Sequence, residues 1–252
     1  MKERVVAVIE ARMGSTRLPR KTLMDVAGKT LLERVVDRLR LARSVHEVVV
    51  ATSTNAGDNQ IEALCAERGI ACFRGSEDDV LERVHGASDR YKADVVVQSG
   101  ADCPFYDPDL VDQLVYTLIW GGYAYTANDM ELTFPEGVDA HVIRFDALEA
   151  SAREAKKEDE REDTPRFIWN HPKRFPIFNL KAQPGSFYNR TDIRVTIDYA
   201  EDMELCRKIY TAFGGKVDFS TRDLIELLDA NPEWIKINAN CEQRSAAYVK
   251  KE

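Results

Sequence analysis

The feature that most constrains the fold is an alternation in the first 120 residues between short, β-branched apolar runs and segments with helical periodicity. Val5 to Ile9, Val48 to Ala51 and Val95 to Val97 show no polar alternation, as expected of strands covered on both faces. Between them, Thr30 to Arg43 places Leu31, Leu32, Val35, Val36 and Leu39 at helical spacing, and Asp58 to Arg68 does so with Ile61, Leu64 and Cys65. Ala71 to Phe73 adds a short strand, Asp78 to Tyr91 a helix, and Pro108 to Trp120 a helix after the Val95 strand. Strands that alternate with helices predict an α/β protein: a parallel sheet with right-handed crossovers and helices on both faces.

The second half is less regular. Tyr123 to Ala127 and Val138 to Arg144 read as strands, and Phe145 to Lys156 as a helix running into the charged stretch Lys156 to Asp163, expected to be a solvated helix end and loop. Ile193 to Ile197 reads as a strand, Ala200 to Phe213 as an amphipathic helix, and Thr221 to Asp229 as a short helix closed before Pro232. No repeat or linker interrupts residues 1–252, so one domain with a helical C-terminal tail is expected.

Charge narrows the ligands. Lys+Arg total 35 against Asp+Glu 43, a formal charge of -8, and an acidic surface repels nucleic-acid phosphates and anionic lipid. Neither nucleic acid nor a membrane is an expected partner. No apolar run approaches the ~20 residues of a membrane span, and MKERVVAVIE is too short and polar for a signal peptide. Five cysteines without a C-x-x-C pair suit reduced thiols, so a cytoplasmic location is expected.

In an open parallel sheet, ligands sit beyond the carboxyl ends of the strands. After the first strand comes EARMGSTRLPRK, with Arg12, Arg17, Arg20 and Lys21 close together beside Gly14, Ser15 and Thr16 in an otherwise acidic chain. Hydroxyls, flexible backbone and guanidinium forks are what a triphosphate requires. Gly28-Lys29-Thr30 imitates the end of a P-loop, but Leu23 stands where that motif needs its first glycine. The polar loop TSTNAGD begins at Thr52, and Gly75-Ser76-Glu77-Asp78-Asp79 offers either close backbone approach or a helix cap. Gly100-Ala101-Asp102-Cys103-Pro104 presents Asp102 as a ligand for Mg²⁺, with Asp198 as its candidate partner or as a helix cap. The scattered histidines His46, His85, His141 and His171 argue against zinc, and no G-x-S-x-G elbow is present.

IEARMGSTRLPRKTL followed by VAGKTLLERVVDRL resembles the opening of the CMP-sugar cytidylyltransferases, of which 3-deoxy-manno-octulosonate cytidylyltransferase is the best known. RGSEDDVLERV, ADCPFYDPDLVD, TFPEGVDAHV and VTIDYAEDMELCRKIY, with the late FSTRDLIELLDANPEWIKIN, are most similar to the branch of spore coat polysaccharide biosynthesis protein F. The resemblance implies a three-layer α/β/α nucleotide-diphospho-sugar-transferase fold that binds CTP and Mg²⁺. It further implies a cytidylyl transfer to a small acidic sugar or phosphonate with loss of pyrophosphate, in a homodimer. Carried over by position, Arg12, Lys21 and Asp102 are the expected catalytic residues, and Asp102 and Asp198 the metal carboxylates. The expected nucleotide site comprises Ala11, Arg12, Met13, Gly14, Ser15, Arg17, Lys21, Thr52, Gly75, Ser76 and Ala101. Gln98, Leu132, Asp163 and Tyr199 depart from the branch's pattern on the acceptor side. The fold type leaves one alternative open, a glycosyltransferase, and the departures keep open a second, an inactive nucleotide-binding or scaffold protein.

Overall fold

The structure is a computed structural model and describes residues 2–241. Its sheet has seven strands in the order β5-β4-β1-β6-β8-β7-β9, here β1 (Val5–Glu10), β4 (Glu47–Ser53), β5 (Ala71–Gly75), β6 (Val95–Gly100), β7 (Tyr125–Ala127), β8 (His141–Arg144) and β9 (Ile177–Asn179). Only β8 runs against the others, antiparallel to β6 and to β7. The remaining pairings, β1 with β4 and β6, β4 with β5, and β7 with β9, are parallel.

Both faces of β1 are fully buried, which is why its sequence has no polar alternation. Val5, Ala7 and Ile9 pack with helices α1 (Leu31–Leu39), α2 (Asn59–Arg68) and α4 (Pro108–Gly121). Val6 and Val8 face α3 (Val80–Arg90), α5 (Phe145–Glu154) and α7 (Arg166–Asn170). These are the three layers the periodicity implies. Helix α1 starts where Thr30 caps it: its side chain accepts from the Glu33 amide, and Glu33 reaches back to the Thr30 amide. Helix α4 starts with Asp107 as cap and Pro108 in the first turn.

Gly28-Lys29-Thr30, already excluded as a P-loop by Leu23, belongs to a hairpin of β2 (Asp25–Val26) and β3 (Lys29–Thr30), whose turn places Ala27 at φ 53° and Gly28 at φ 88°. Two sequence expectations need correction. The charged stretch 156–163 is not a solvated loop, since it contains α6 (Glu158–Glu162), buries Glu160 and ties Arg161 to Asp79 and to the Ala152 carbonyl. Its partners lie far away in sequence, so local composition could not reveal them. Ile193 to Ile197 runs extended but forms no strand of the sheet; a single bridge, Arg194 with Glu136, is its β pairing among the described residues. Its alternate residues Ile193, Val195 and Ile197 are buried in a third core with α8 (Ala200–Ala212) and α9 (Thr221–Ala230). Helix α10 (Pro232–Ile235) follows, and β9 and α7 are elements the sequence reading missed.

Gly137 is what lets this extended segment pass. It sits at φ +100°, and a Cβ there would lie 2.4 Å from the Thr196 amide nitrogen. Gly137→Ala is expected to cost more than about 2 kcal/mol, because strain and clash add. Urea unfolding checks this, and a midpoint equal to wild type would refute it.

Candidate active site

The carboxyl ends of β1 and β6 open on a cavity of about 520 Å³ lined by Glu10, Ala11, Arg12, Gly14, Ser15, Thr16, Arg17, Lys21, Thr22, Val80, Arg83, Gly100, Ala101, Asp102, Glu162 and Asp198. The first loop is anchored at several points. The Ala11 amide donates to Ala51 O (3.2 Å), the Met13 amide to Asp58 Oδ1 (2.7 Å), and the Thr22 hydroxyl to Arg12 O (2.9 Å). Asp58 is itself fixed, its Oδ2 accepting from the Ser53 hydroxyl at 2.5 Å.

Lys21 is the hub of the site. Its ammonium donates to Asp102 Oδ2 at 2.9 Å, Asp198 Oδ1 at 3.1 Å and Ile197 O at 2.5 Å. Burial works against its charge, yet the two carboxylates outweigh burial and raise its pKa. Asp198 Oδ1 also accepts from Arg17 at 2.8 Å. Burial would raise the Asp198 pKa, but Lys21 and Arg17 hold it below the usual carboxylate value. The two aspartates meet because the Ile197 amide donates to Asp102 O at 2.8 Å, which lays residues 193–198 beside the end of β6.

Ala11, Arg12, Gly14, Ser15, Arg17, Lys21, Ala101, Asp102 and Asp198, all singled out from sequence, therefore line one cavity. Four residues of the expected nucleotide site do not line it. Met13 packs against the core, Thr52 is fully buried in β4, Gly75 ends β5 against Arg83 and Phe73, and the Ser76 hydroxyl accepts from the Asp79 amide at 3.1 Å. The sequence reading missed Glu10, Arg83 and Glu162. Burial raises the Glu10 pKa, opposed by Arg83 and by a 2.7 Å hydrogen bond from Gln98. Buried Arg83 donates to the carbonyls of Ser76 and Glu77. A charge at the last residue of an otherwise apolar strand, as at Glu10, was the available signal.

None of the four departures lines this cavity, although Gln98 and Tyr199 each touch a residue that does. Gln98 bonds Glu10, Asp163 pairs with Arg166 at 2.8 Å, the Tyr199 ring lies 5.2 Å beneath the Arg17 guanidinium, and Leu132 is 41% exposed. Next to Gln98 in the sheet, His141 contacts Asp129 Oδ2 at 3.3 Å and the Tyr125 hydroxyl at 2.5 Å. Burial would lower the His141 pKa, but Asp129 and Asp139 lift it from 6.5 to about 9. A raised histidine contributes stability that is complete below pH 6.5 and lost as pH rises through about 9. Wild-type melting temperature is accordingly expected to fall across that range, and His141→Gln to flatten the fall. Equal slopes in the two proteins would contradict this.

A Gly-containing basic loop after β1 and a carboxylate after β6, joined by Asp198 from the extended segment 193–198, place the site where α/β proteins with parallel strands bind their ligands. Residues 6–231 match the cytidylyltransferase family model, and the chain belongs to that family. It is 34% identical over 234 residues to the spore coat polysaccharide biosynthesis protein SpsF of Bacillus subtilis, covering 91% of this chain and 95% of that one. The 3-deoxy-manno-octulosonate cytidylyltransferase of Polynucleobacter asymbioticus is 36% identical over 118 residues, 45% of this chain and 44% of its own. A solved cytidylyltransferase from Leptospira borgpetersenii superposes with a TM-score of 0.86 at 29% identity, over 92% of this chain and 97% of that one. The protein is a CTP-dependent nucleotidyltransferase.

Proposed function

We propose that this enzyme moves the cytidylyl group of CTP onto an oxygen of an acidic sugar or a related acceptor such as a phosphonate, releasing pyrophosphate, within surface polysaccharide biosynthesis. The observation that carries this reading is the Lys21 ammonium held between Asp102 and Asp198 in the cavity that also gathers Arg12 and Arg17. The acceptor oxygen attacks the α-phosphorus and forms the new O–P bond while the bond from the α-phosphorus to the bridging oxygen breaks, its electron pair leaving with pyrophosphate; an acceptor hydroxyl gives its proton to solvent, and an ionised acid oxygen has none to give. Negative charge grows on the departing pyrophosphate, where the cationic side chains of Lys21, Arg12 and Arg17 neutralise it. The loop backbone, pinned through Met13, Thr22 and Asp58, keeps these cations in register with the strand end.

Asp102 and Asp198 suit Mg²⁺. One ammonium touches both carboxylates, so one cation reaches both, and Mg²⁺ takes one or two carboxylates with phosphate oxygens completing its shell. When bound, the ion supplies charge to the phosphates and acidity to an oxygen ligand. The proposal places the whole chain in one domain, as a cytoplasmic homodimer, and light scattering on the purified protein tests the dimer.

The direct test is pyrophosphate release from CTP, ATP, GTP and UTP with Mg²⁺ against a panel of acidic sugars and phosphonates. CTP with an acidic sugar or phosphonate is expected to respond. Preference for another nucleotide would break the cytidylyl part, and activity without pyrophosphate release would indicate a glycosyltransferase.

A further inference from the structure

Behind Asp198 lies a buried ionic network that does not touch the cavity. Asp202, with a fully buried side chain, stands one helical turn further along at the start of α8. Its Oδ2 accepts from the backbone amides of Asp198 (2.8 Å) and Tyr199 (2.9 Å). Its Oδ1 accepts from Arg194 Nε (3.2 Å) and from Asn238 Nδ2 (2.7 Å). The Arg194 guanidinium continues to Glu136 Oε1 (3.2 Å) and Asp198 Oδ2 (3.1 Å). Asn238 also donates to the Arg194 carbonyl at 3.0 Å, joining the segment after α10 to the same knot.

The division of labour within Asp198 is the informative detail. Its Oδ1 faces Lys21 and Arg17, and its Oδ2 is held from behind by Arg194. The carboxylate is thereby restrained from two sides: Asp202 holds the backbone through two amides, and Arg194 holds one oxygen of the carboxylate. Buried ion pairs commonly contribute little net stability, because desolvation offsets attraction. Precise aim of a ligand carboxylate is a function such a pair serves well, and partners behind metal ligands typically govern 10- to 100-fold in metal affinity.

We propose that Arg194 and Asp202 are positioning residues that aim Asp198 at the divalent cation accompanying CTP, an assignment that rests on the cytidylyl-transfer reading above. Neither residue lines the cavity. Their loss acts on the cation first and on turnover through it.

Binding of Mn²⁺ to the CTP complex, followed by electron paramagnetic resonance of the free ion, reads this directly. Asp202→Asn and Arg194→Met are expected to weaken Mn²⁺ about 10- to 100-fold, with Arg194→Lys intermediate, while CTP affinity in EDTA stays within about twofold of wild type. Arg38→Met supplies the structural control. Arg38 is a buried guanidinium that binds the carbonyls of Tyr106 (2.7 Å), Val217 (2.6 Å) and Phe219 (2.5 Å), so its loss should lower the melting temperature but not the Mn²⁺ affinity. The proposal is overturned if Asp202→Asn and Arg194→Lys bind Mn²⁺ like wild type, or if Arg38→Met weakens it as much as Arg194→Met does. Wild-type protein that binds no Mn²⁺ with CTP would instead remove the underlying reading, and this assignment with it.

Discussion

Replacing Lys21 by alanine is expected to slow CTP-dependent pyrophosphate release about 100-fold or more, the usual cost of removing a donor aimed at transition-state charge. The side chain is only 12% exposed and reaches three oxygens, and among the cations lining the cavity it alone joins Asp102 to Asp198. Arg17 remains on Asp198 Oδ1 and keeps that carboxylate compensated, which should leave the fold intact. The loss should therefore appear in kcat more than in melting temperature. Lys21→Arg is a useful companion, because it preserves charge but brings a planar group into a space fitted to an ammonium. Purified Lys21→Ala enzyme with near wild-type turnover would remove the assignment of this cavity as the active site.

The second large effect is expected at Asp102. Asp102→Asn keeps size and shape while removing the charge, and turnover should again drop about 100-fold or more if its carboxylate carries the metal. Asp102 is better placed than Asp198 for this experiment because its side chain is 37% exposed at the cavity, where substitution disturbs little packing. Asp198, in contrast, is tied to Arg17, Lys21 and Arg194, so its replacement mixes metal loss with the release of three cations. A steeper dependence on Mg²⁺ concentration in Asp102→Asn would locate the defect at the ion. Turnover and Mg²⁺ dependence both unchanged would contradict the metal role.

How far the sequence alone carried this reading differs between the two halves of the chain. Strands β1, β4 and β6 were legible because burial on both faces leaves little freedom for polar residues, half-buried β5 because it follows a helix in the alternation, and the intervening helices because their apolar stripe repeats at helical spacing. In the later part, β9 is a three-residue strand with partial burial along its length, too short and too little patterned to stand out. Residues 193–197 failed differently: Ile193, Val195 and Ile197 alternate like a strand, but they bury against α8 and α9 and leave the sheet to others. Alternation reports one buried face and says nothing about which element covers it.

The site divides along the same line. Arg12, Arg17 and Lys21 could be found from sequence because they crowd one loop directly after a buried strand, in a chain whose formal charge is -8. Asp102 could be found because its loop follows β6. Those are local facts, dictated by chain order and by the rule that parallel strands deliver ligands to their carboxyl ends. The three-dimensional arrangement alone decided that Lys21 stands between Asp102 and Asp198, residues far apart in the chain. It also placed Glu10, Arg83 and Glu162 at the cavity, and it gave the charges of 156–163 their partners. The physical reason is that an ion pair depends on distance in space and on burial, and neither is encoded in spacing along the chain once a separate extended segment, 193–198, must fold back to complete the site.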